Sequence, residues 1–364
     1  MKIANEADFI QKLQAEILSL CSSIPFLTIH SIGNASPVPG VQVDFTVKLD
    51  AGDSSWMWIV ESKLCGQPRE VRSALFQLKN TLSAFSESGR YGIFAAPYLS
   101  EESRKLCVQA GMGYVDLSGN ARLCFGTVFI ETRSKDNPYR EKRVFKSLFS
   151  AKAGRILSIL LTPPLRPWKV KKLSIAAGVS LGQASNVRKL LLDQEWAEAR
   201  NEGLILLKPE ELARAWQKAY KPLLHSKDTF YTMLSGNDLD AAVRAAFVEP
   251  GYDASAALAS YSAARWYVPY ARHATLFLYA NTKGKEILKR HLGLQAVERG
   301  GNVIVLEPRE DAVFSGRVEA APGIWCSGLI QTWLDLSVAG ERGNEAAEIL
   351  LQQKLSPGWK ESDR

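Results

Sequence analysis

Val41-Gln42-Val43-Asp44-Phe45-Thr46-Val47-Lys48 and Trp56-Met57-Trp58-Ile59-Val60-Glu61-Ser62-Lys63 are the two stretches on which the fold turns. In the first, apolar and polar residues alternate, so a strand puts Val41, Val43, Phe45 and Val47 on one face and Gln42, Asp44, Thr46 and Lys48 on the other. The second is apolar from Trp56 to Val60, as befits a strand covered on both faces, and ends on two charges two residues apart. Glu61 and Lys63 then share a side of the sheet. An acid on one strand beside an acid-x-lysine on the next gathers two carboxylates and an ammonium. Carboxylates are hard oxygen ligands for Mg²⁺ or Mn²⁺; a bound metal acidifies its water and offsets charge on a phosphorane, and a nearby lysine orients the nucleophile or stabilises developing negative charge. Charges at a strand end also suit an ordinary surface ion pair, worth under ~1 kcal/mol.

The flanking pattern predicts a helix over about 6–21 and another from Pro68, with Val71, Leu75, Leu78, Leu82 and Phe85 as its buried stripe. Strands follow at 91–96, 114–117 and 128–132, with a helix at 101–110 between the first two. In that α-β-β-α-β-α-β-β order, Asp44 with Glu61-Ser62-Lys63 resembles the PD-(D/E)XK nuclease superfamily. The resemblance implies a restriction-endonuclease-like α/β fold, with Asp44, Glu61 and Lys63 catalytic and Asp44, Glu61 and the Ser62 carbonyl as metal ligands. It also implies Glu16 on the first helix as an outer metal ligand and Gln77 on the helix after the lysine as a further catalytic residue. Gln77 lies on a polar side with Glu70, Ser73 and Asn80, which a solvated helix face explains equally. Copies of this fold that keep the acids and only bind DNA are expected from the same resemblance.

At 364 residues, 46% hydrophobic and 23% charged, the chain is long enough for two or three cores and is not disordered. No stretch approaches the ~20 consecutive apolar residues of a membrane span. The first residues carry Glu6 and Asp8 where a leader would be basic and then apolar, so a cytoplasmic protein without membrane partners is expected. Five cysteines and four histidines are scattered, never as C-x-x-C, so buried thiols and no zinc site are expected. The net charge of +7 is unevenly spread. Arg133, Lys135, Arg140, Lys142, Arg143, Lys146, Lys152, Arg155, Arg166, Lys169, Lys171, Lys172, Arg188 and Lys189 stand against only Asp136 and Glu141, and the rest of the chain is net acidic. Such a stripe suits a polyanion; a solvated basic surface is the plain alternative.

That stripe decorates a pattern of helix, helix, turn, helix, hairpin. The first helix is 154–161, closed by Pro163-Pro164; the second is 169–177, stopped at Gly178, where a missing Cβ permits a left-handed turn. Ser180 caps a third, 181–192, which buries Ala184, Val187, Leu190 and Leu191 and exposes Gln183, Ser185, Asn186, Arg188 and Lys189. Residues 195–200 and 204–207 are two short strands about Asn201-Glu202-Gly203. This resembles a winged helix-turn-helix, closest at Leu173-Ser174-Ile175-Ala176-Ala177-Gly178-Val179-Ser180. The resemblance implies double-stranded DNA as partner: Gln183, Ser185 and Asn186 would meet base edges, and Arg188, Lys189, Lys169, Lys171 and Lys172 phosphates. Winged helices also serve as protein-interaction modules. Paired half-sites are common for such regulators, so a homodimer is expected.

The last third is predicted as mixed α/β. A helix at 210–221 is followed by strands at 273–279 and 302–306, helices at 238–247, 256–264, 284–292 and 330–338, and a last helix from near Asn344. Asp335, Glu341, Glu345 and Glu348 suit helix-terminus charges better than metal ligands. Gly301-Asn302-Val303-Ile304-Val305-Leu306-Glu307-Pro308, Ile330-Gln331-Thr332-Trp333-Leu334-Asp335-Leu336 and Gly340-Glu341-Arg342-Gly343-Asn344-Glu345-Ala346-Ala347-Glu348 resemble the C-terminal region of AbiEi-type antitoxins. The similarity covers roughly 153–354 and departs at Glu341, where a second glycine is usual; the nuclease-like front exceeds the minimal antitoxin plan. It implies a transcriptional regulator of a type IV toxin-antitoxin system with a nucleotidyltransferase-like toxin as partner.

The expected architecture is therefore a multidomain α/β chain. Residues 1–145 are nuclease-like, 146–215 a winged helix-turn-helix and 216–364 an antitoxin-like α/β domain. A DNA-binding regulator, a Mg²⁺-dependent endonuclease targeted by its winged helix, and a toxin-neutralising protein-binding module are the three functions this supports.

Overall fold

The computed structural model describes residues 3, 5–33, 43–84, 89–134, 148–249, 255–268 and 274–360. Val41, Gln42, Phe85 and His273, and Lys135, Arg140, Lys142, Arg143 and Lys146 of the basic run, lie outside them. The chain forms two compact units, Met1–Val144 with Leu190–Glu195, and Phe145–Lys189 with Trp196–Arg364.

The first unit runs α1 (Glu6–Ser22), β1 (Leu27–Gly33), β2 (Phe45–Ala51), β3 (Ser54–Ser62), α2 (Pro68–Ser83), β4 (Arg90–Ala96), α3 (Glu101–Gln109), β5 (Gly113–Asp116), β6 (Ala121–Phe125) and β7 (Val128–Thr132). Its seven strands lie in one sheet in sequence order. β3, β4 and β5 run parallel and the remaining pairs antiparallel. Parallel neighbours need a crossover, and α2 and α3 supply them. Asn5 caps α1 by accepting from Asp8 N at 2.9 Å, Pro68 opens α2 where its missing N–H is harmless, and Ser100 caps α3 by accepting from Ser103 N at 3.1 Å.

Two cores sandwich the sheet. Phe9, Leu13, Ile17 and Cys21 of α1 pack with Phe45, Val47, Leu49, Trp58 and Val60. Val71, Ala74, Leu75 and Leu78 of α2, with Leu106 and Cys107 of α3, pack with Ile59, Phe94, Ala96 and Tyr114. Consecutive Trp58 and Ile59 are both fully buried, on opposite faces, which is why the 56–60 run is unbroken by polar residues. Asp44 precedes β2, whose register sets Phe45 against Val60. Strands β1 and β6 had no counterpart in the expected order.

After the first unit's strands the chain continues with α4 (Ala151–Leu161), α5 (Val170–Ala176), α6 (Leu181–Asp193, of which Leu181–Lys189 belongs to the second unit), the hairpin β8 (Ala197–Arg200) and β9 (Gly203–Leu206), and α7 (Pro209–Ala219). Gly178 has φ +61°, and Ser180 Oγ accepts from Gln183 N at 3.2 Å, so both helix punctuation marks act as expected. There follow β10 (Leu224–Tyr231), α8 (Gly236–Phe247), β11 (Ala256–Leu258), α9 (Ser260–Tyr267), β12 (Leu276–Ala280), α10 (Thr282–Leu292), β13 (Gln295–Ala296), β14 (Val303–Pro308), α11 (Ala312–Ser315), β15 (Val318–Ala321), β16 (Ile324–Cys326), α12 (Leu329–Ser337) and α13 (Glu341–Leu350). A π-helical turn (Leu351–Leu355) leads into α14 (Ser356–Lys360).

A second seven-stranded sheet has the order β13-β10-β14-β12-β11-β16-β15, parallel at β12–β14 and β11–β16. The expected helix at 256–264 is wrong at its start. Ala256, Ala257 and Leu258 form the buried strand β11 between β12 and β16, where small residues fit the crowded sheet and position overrides alanine's helix preference. Between α12 and α13, Gly340 adopts φ +84°, and a Cβ on Gly343 would run into the Leu336 carbonyl. Helices α4, α5 and α7 lie in the same unit as the C-terminal third: Arg214 of α7 forms a bidentate pair with Glu348 of α13, and Trp359 Nε1 of α14 donates to Leu161 O of α4 at 2.8 Å.

Candidate functional site

At the C-terminal end of β3, Lys63 Nζ donates to Glu61 Oε1 at 2.6 Å. Asp44 Oδ2 accepts from Ser62 N at 2.6 Å and from Ser62 Oγ at 2.8 Å, so the serine hydroxyl, buried in the sheet, holds the aspartate beside the strand end. Lys63 N still donates to Ala95 O at 3.0 Å, which fixes the lysine backbone against β4. The alternation expected of Glu61 and Lys63 is thus realised as a contact, and Asp44 is half-buried at its side.

Burial pushes the Glu61 carboxyl above the usual glutamate range; the Lys63 hydrogen bond opposes this and the Asp44 charge adds to it. For Lys63, burial works against the ammonium, yet the bond and charge of Glu61, with the charges of Asp44 and Glu6, outweigh it and hold Lys63 above the ordinary lysine value. The acid of α1 whose charge reaches the lysine is therefore Glu6. Glu16 lies ten residues further along the same helix, a rise of ~15 Å, and is half-buried. Gln77 is exposed on α2. The structure places neither Glu16 nor Gln77 in a contact with Asp44, Glu61 or Lys63.

Whether this donor set suits a divalent cation depends on free oxygens. Asp44 serves both Ser62 donors through Oδ2, and Lys63 takes one oxygen of Glu61, so one oxygen of each acid lies outside these bonds. Two carboxylates and a main-chain carbonyl match part of the oxygen sphere of Mg²⁺, which ordinarily keeps several waters. Among the described residues no group of three or more His, Cys, Asp and Glu stands together.

In the middle helices, α6 buries Ala184, Val187 and Leu191, exposes Ser185, Asn186 and Lys189, and leaves Gln183, Arg188 and Leu190 half-exposed. Lys169, Lys171 and Lys172 are exposed at the start of α5. The segment before α5 is tied to the hairpin, since Trp168 and Leu204 exchange both backbone hydrogen bonds at 2.8 Å. Gly203, at φ +142°, approaches the Trp168 backbone so closely that a Cβ would collide with it. Arg166 stacks over the Trp168 ring at 4.3 Å, and Arg166, Trp168, Lys169, Lys172 and Glu202 line a shallow depression beside the hairpin.

Two buried acids escaped the sequence reading. Asp116, at the end of β5, accepts from Leu99 N, Ser118 N, Asn120 N and Asn120 Nδ2, a fully occupied turn anchor. Asp335 is not the helix-terminus charge that was expected. It lies buried in α12, where Oδ1 accepts from Tyr220 OH at 2.7 Å, Tyr279 OH at 2.9 Å and Gln331 Nε2 at 2.8 Å, while Oδ2 has no partner. Burial raises its pKa to about 6 against those three donors. The signal was available: Asp335 lies within Trp333-Leu334-Asp335-Leu336, an apolar stretch. Of the cysteines, Cys21, Cys107 and Cys326 are buried as expected, whereas Cys65 and Cys124 are exposed.

The chain is thus a mixed α/β protein of two units, the first with an acidic strand-end site and the second with a three-helix-and-hairpin module leading into a mixed sheet. Within that second unit, residues 205–356 match the family described as "Transcriptional regulator, AbiEi antitoxin, Type IV TA system". No curated protein matches the chain. Among solved structures, a repair endonuclease from Pyrococcus abyssi is similar at 20% identity over 29% of this chain and 46% of its own, with a TM-score of 0.21. A second, the EndoMS-dsDNA2 complex, is similar at 19% identity over 29% of this chain and 44% of its own, with a TM-score of 0.22. The chain therefore spans less than half the length of either. No helix among the described residues is long and apolar enough to cross a membrane.

Proposed function

We propose that this protein is a cytoplasmic regulator that binds double-stranded DNA through a winged helix-turn-helix over 146–215, carried on the antitoxin-like domain at 216–364. The observation that carries this reading is the sidedness of α6. Ala184, Val187 and Leu191 are spent on the core, while Ser185, Asn186 and Lys189 stand exposed, with Lys169, Lys171 and Lys172 exposed on the neighbouring helix start. Amides and hydroxyls suit base edges and lysines suit phosphates. The family match over 205–356 supports a regulator of antitoxin type with a toxin as protein partner; that the toxin is nucleotidyltransferase-like and that a homodimer is the DNA-binding form are further parts of the proposal. The test is binding of labelled duplex by the full chain across a salt series. Affinity that falls with a log–log slope of about −0.9 per phosphate neutralised supports it, and a flat response removes it.

A second reading, a Mg²⁺- or Mn²⁺-dependent endonuclease, is favoured by one observation: at one strand end Lys63 pairs with Glu61 while Asp44 is bonded to the intervening Ser62 and its charge reaches both. Asp44 and Glu61, with the Ser62 carbonyl, would hold the metal, which would supply an activated water. Lys63 would hold a proton against the developing phosphorane charge. Incubating plasmid and linear DNA with protein and either metal decides it: cleavage that disappears in both Lys63→Ala and Asp44→Ala makes the protein a nuclease. Binding with no cleavage makes it a regulator.

A further inference from the structure

The middle helices display apolar side chains where the core has no use for them. Leu181, the first residue of α6, is 54% exposed, and Ile175, near the end of α5, is 72% exposed. Lone exposed apolar residues are ordinary on protein surfaces. These two differ in their company. Leu181, Ser185 and Lys189 recur at i, i+4 and i+8, so the leucine heads the same exposed stripe of α6 that carries a hydroxyl and a cation. Ile175 follows Lys171 by four residues and so shares its face of α5. Exposed Ala176 and half-buried Val179 continue the apolar character across the turn at Gly178. Next to Leu181, Gly182 is exposed, and a Cβ there would meet nothing within 4 Å, so the start of α6 is open to a close approach.

Exposed apolar side chains on the same helix faces as Lys171 and Lys189, with Lys169 and Lys172 also exposed on the neighbouring helix start, fit a surface that offers both anionic groups and methyl groups. The major groove of duplex DNA is such a surface, with phosphates along its edges and the thymine 5-methyl on its floor. We propose that Leu181, with Ile175, reads thymine methyl groups, so that the preferred duplex carries A·T pairs at fixed positions under the start of α6. This rests on the DNA-binding reading and adds a specificity to it: the polar residues of α6 select by hydrogen bond, and Leu181 selects by methyl contact.

The test starts by enriching duplexes from a random pool with the full chain. The enriched duplex is remade with deoxyuridine replacing each thymine in turn, which deletes the methyl and keeps the base pair. One or two replacements weaken wild-type binding about four-fold each, the worth of one buried methyl. Leu181→Ala or Ile175→Ala is indifferent to the same replacement, while its melting curve, followed by circular dichroism, matches the wild type because both side chains are exposed. Tight, salt-sensitive wild-type binding that ignores every uracil overturns the inference and leaves the DNA-binding reading standing. An equal uracil penalty in wild type and both variants also overturns it. If both variants bind DNA as the wild type does but lose self-association, the patch belongs to a protein interface and the inference falls. Failure to enrich any duplex overturns the inference and the DNA-binding reading together.

Discussion

The ammonium of Lys63 lies 2.6 Å from Oε1 of Glu61, so a divalent cation and the lysine bid for the same carboxylate. Replacing Lys63 with methionine, which keeps the stem and removes the charge, is expected to strengthen Mn²⁺ uptake by the full chain. Asp44→Asn is expected to weaken it. Titration calorimetry reads both; unchanged uptake in Lys63→Met means the two do not compete.

Asp44 also matters without any metal. Its Oδ2 is the acceptor for the Ser62 N–H and hydroxyl, groups that sit in the sheet out of reach of water. Asp44→Ala strands both donors and is expected to cost ~1–3 kcal/mol, while Asp44→Asn keeps an acceptor oxygen and costs less. Urea midpoints of the two variants check the order, and equal losses would show that the charge, not the acceptor, is what the strand end needs.

Asp335 gives a pH dependence whose sign is fixed by its environment. Its folded pKa, about 6, stands above the ordinary value of 3.8, so the folded chain holds this proton more tightly than the unfolded one. The stability it contributes is full below the unfolded value, falls as pH rises through the window from about 4 to 6, and is gone above it. The fall amounts to at most about 3 kcal/mol. Melting profiles of wild type and Asp335→Asn between pH 4 and 7 should therefore diverge, with the asparagine variant lacking the decline. Parallel profiles would place the titration elsewhere.

Asn186 and Lys171 separate base reading from phosphate contact. Asn186→Ala is expected to cost ~1–3 kcal/mol on the enriched duplex and little on random DNA; Lys171→Ala should weaken both alike and lower the salt slope by about one. An equal effect of Asn186→Ala on the two DNAs strikes it from the base-reading set.

Much of this was legible from local pattern. The Phe45-Thr46-Val47 alternation and the Trp56–Val60 run identified two inner strands, although Thr46, expected on a polar face, is buried and Val43, expected beside Phe45, packs against the other core. Gly178 and Ser180 marked their turn because each does its work within three or four residues. The misses share a cause, which is dependence on distant partners. β11 is a strand only because β12 and β16 flank it. Edge strand β1 alternates only over Leu27-Thr28-Ile29-His30 before a bulge between Ile29 and Ser31 shifts its register, so too short a pattern is left to announce it. Asp335 needs Tyr220 and Tyr279, more than fifty residues upstream, to be a buried acid. That Glu6 is the acid of the first helix whose charge reaches Lys63 was likewise not legible, because the direction in which a helix crosses a sheet is not written in its periodicity.

The bond from Trp359 to the Leu161 carbonyl has a consequence for how the protein is born. The helix bundle that opens the second unit leaves the ribosome nearly two hundred residues before the indole that clasps it. A message broken anywhere in that interval would yield a bundle whose first helix still lacks its final fastening.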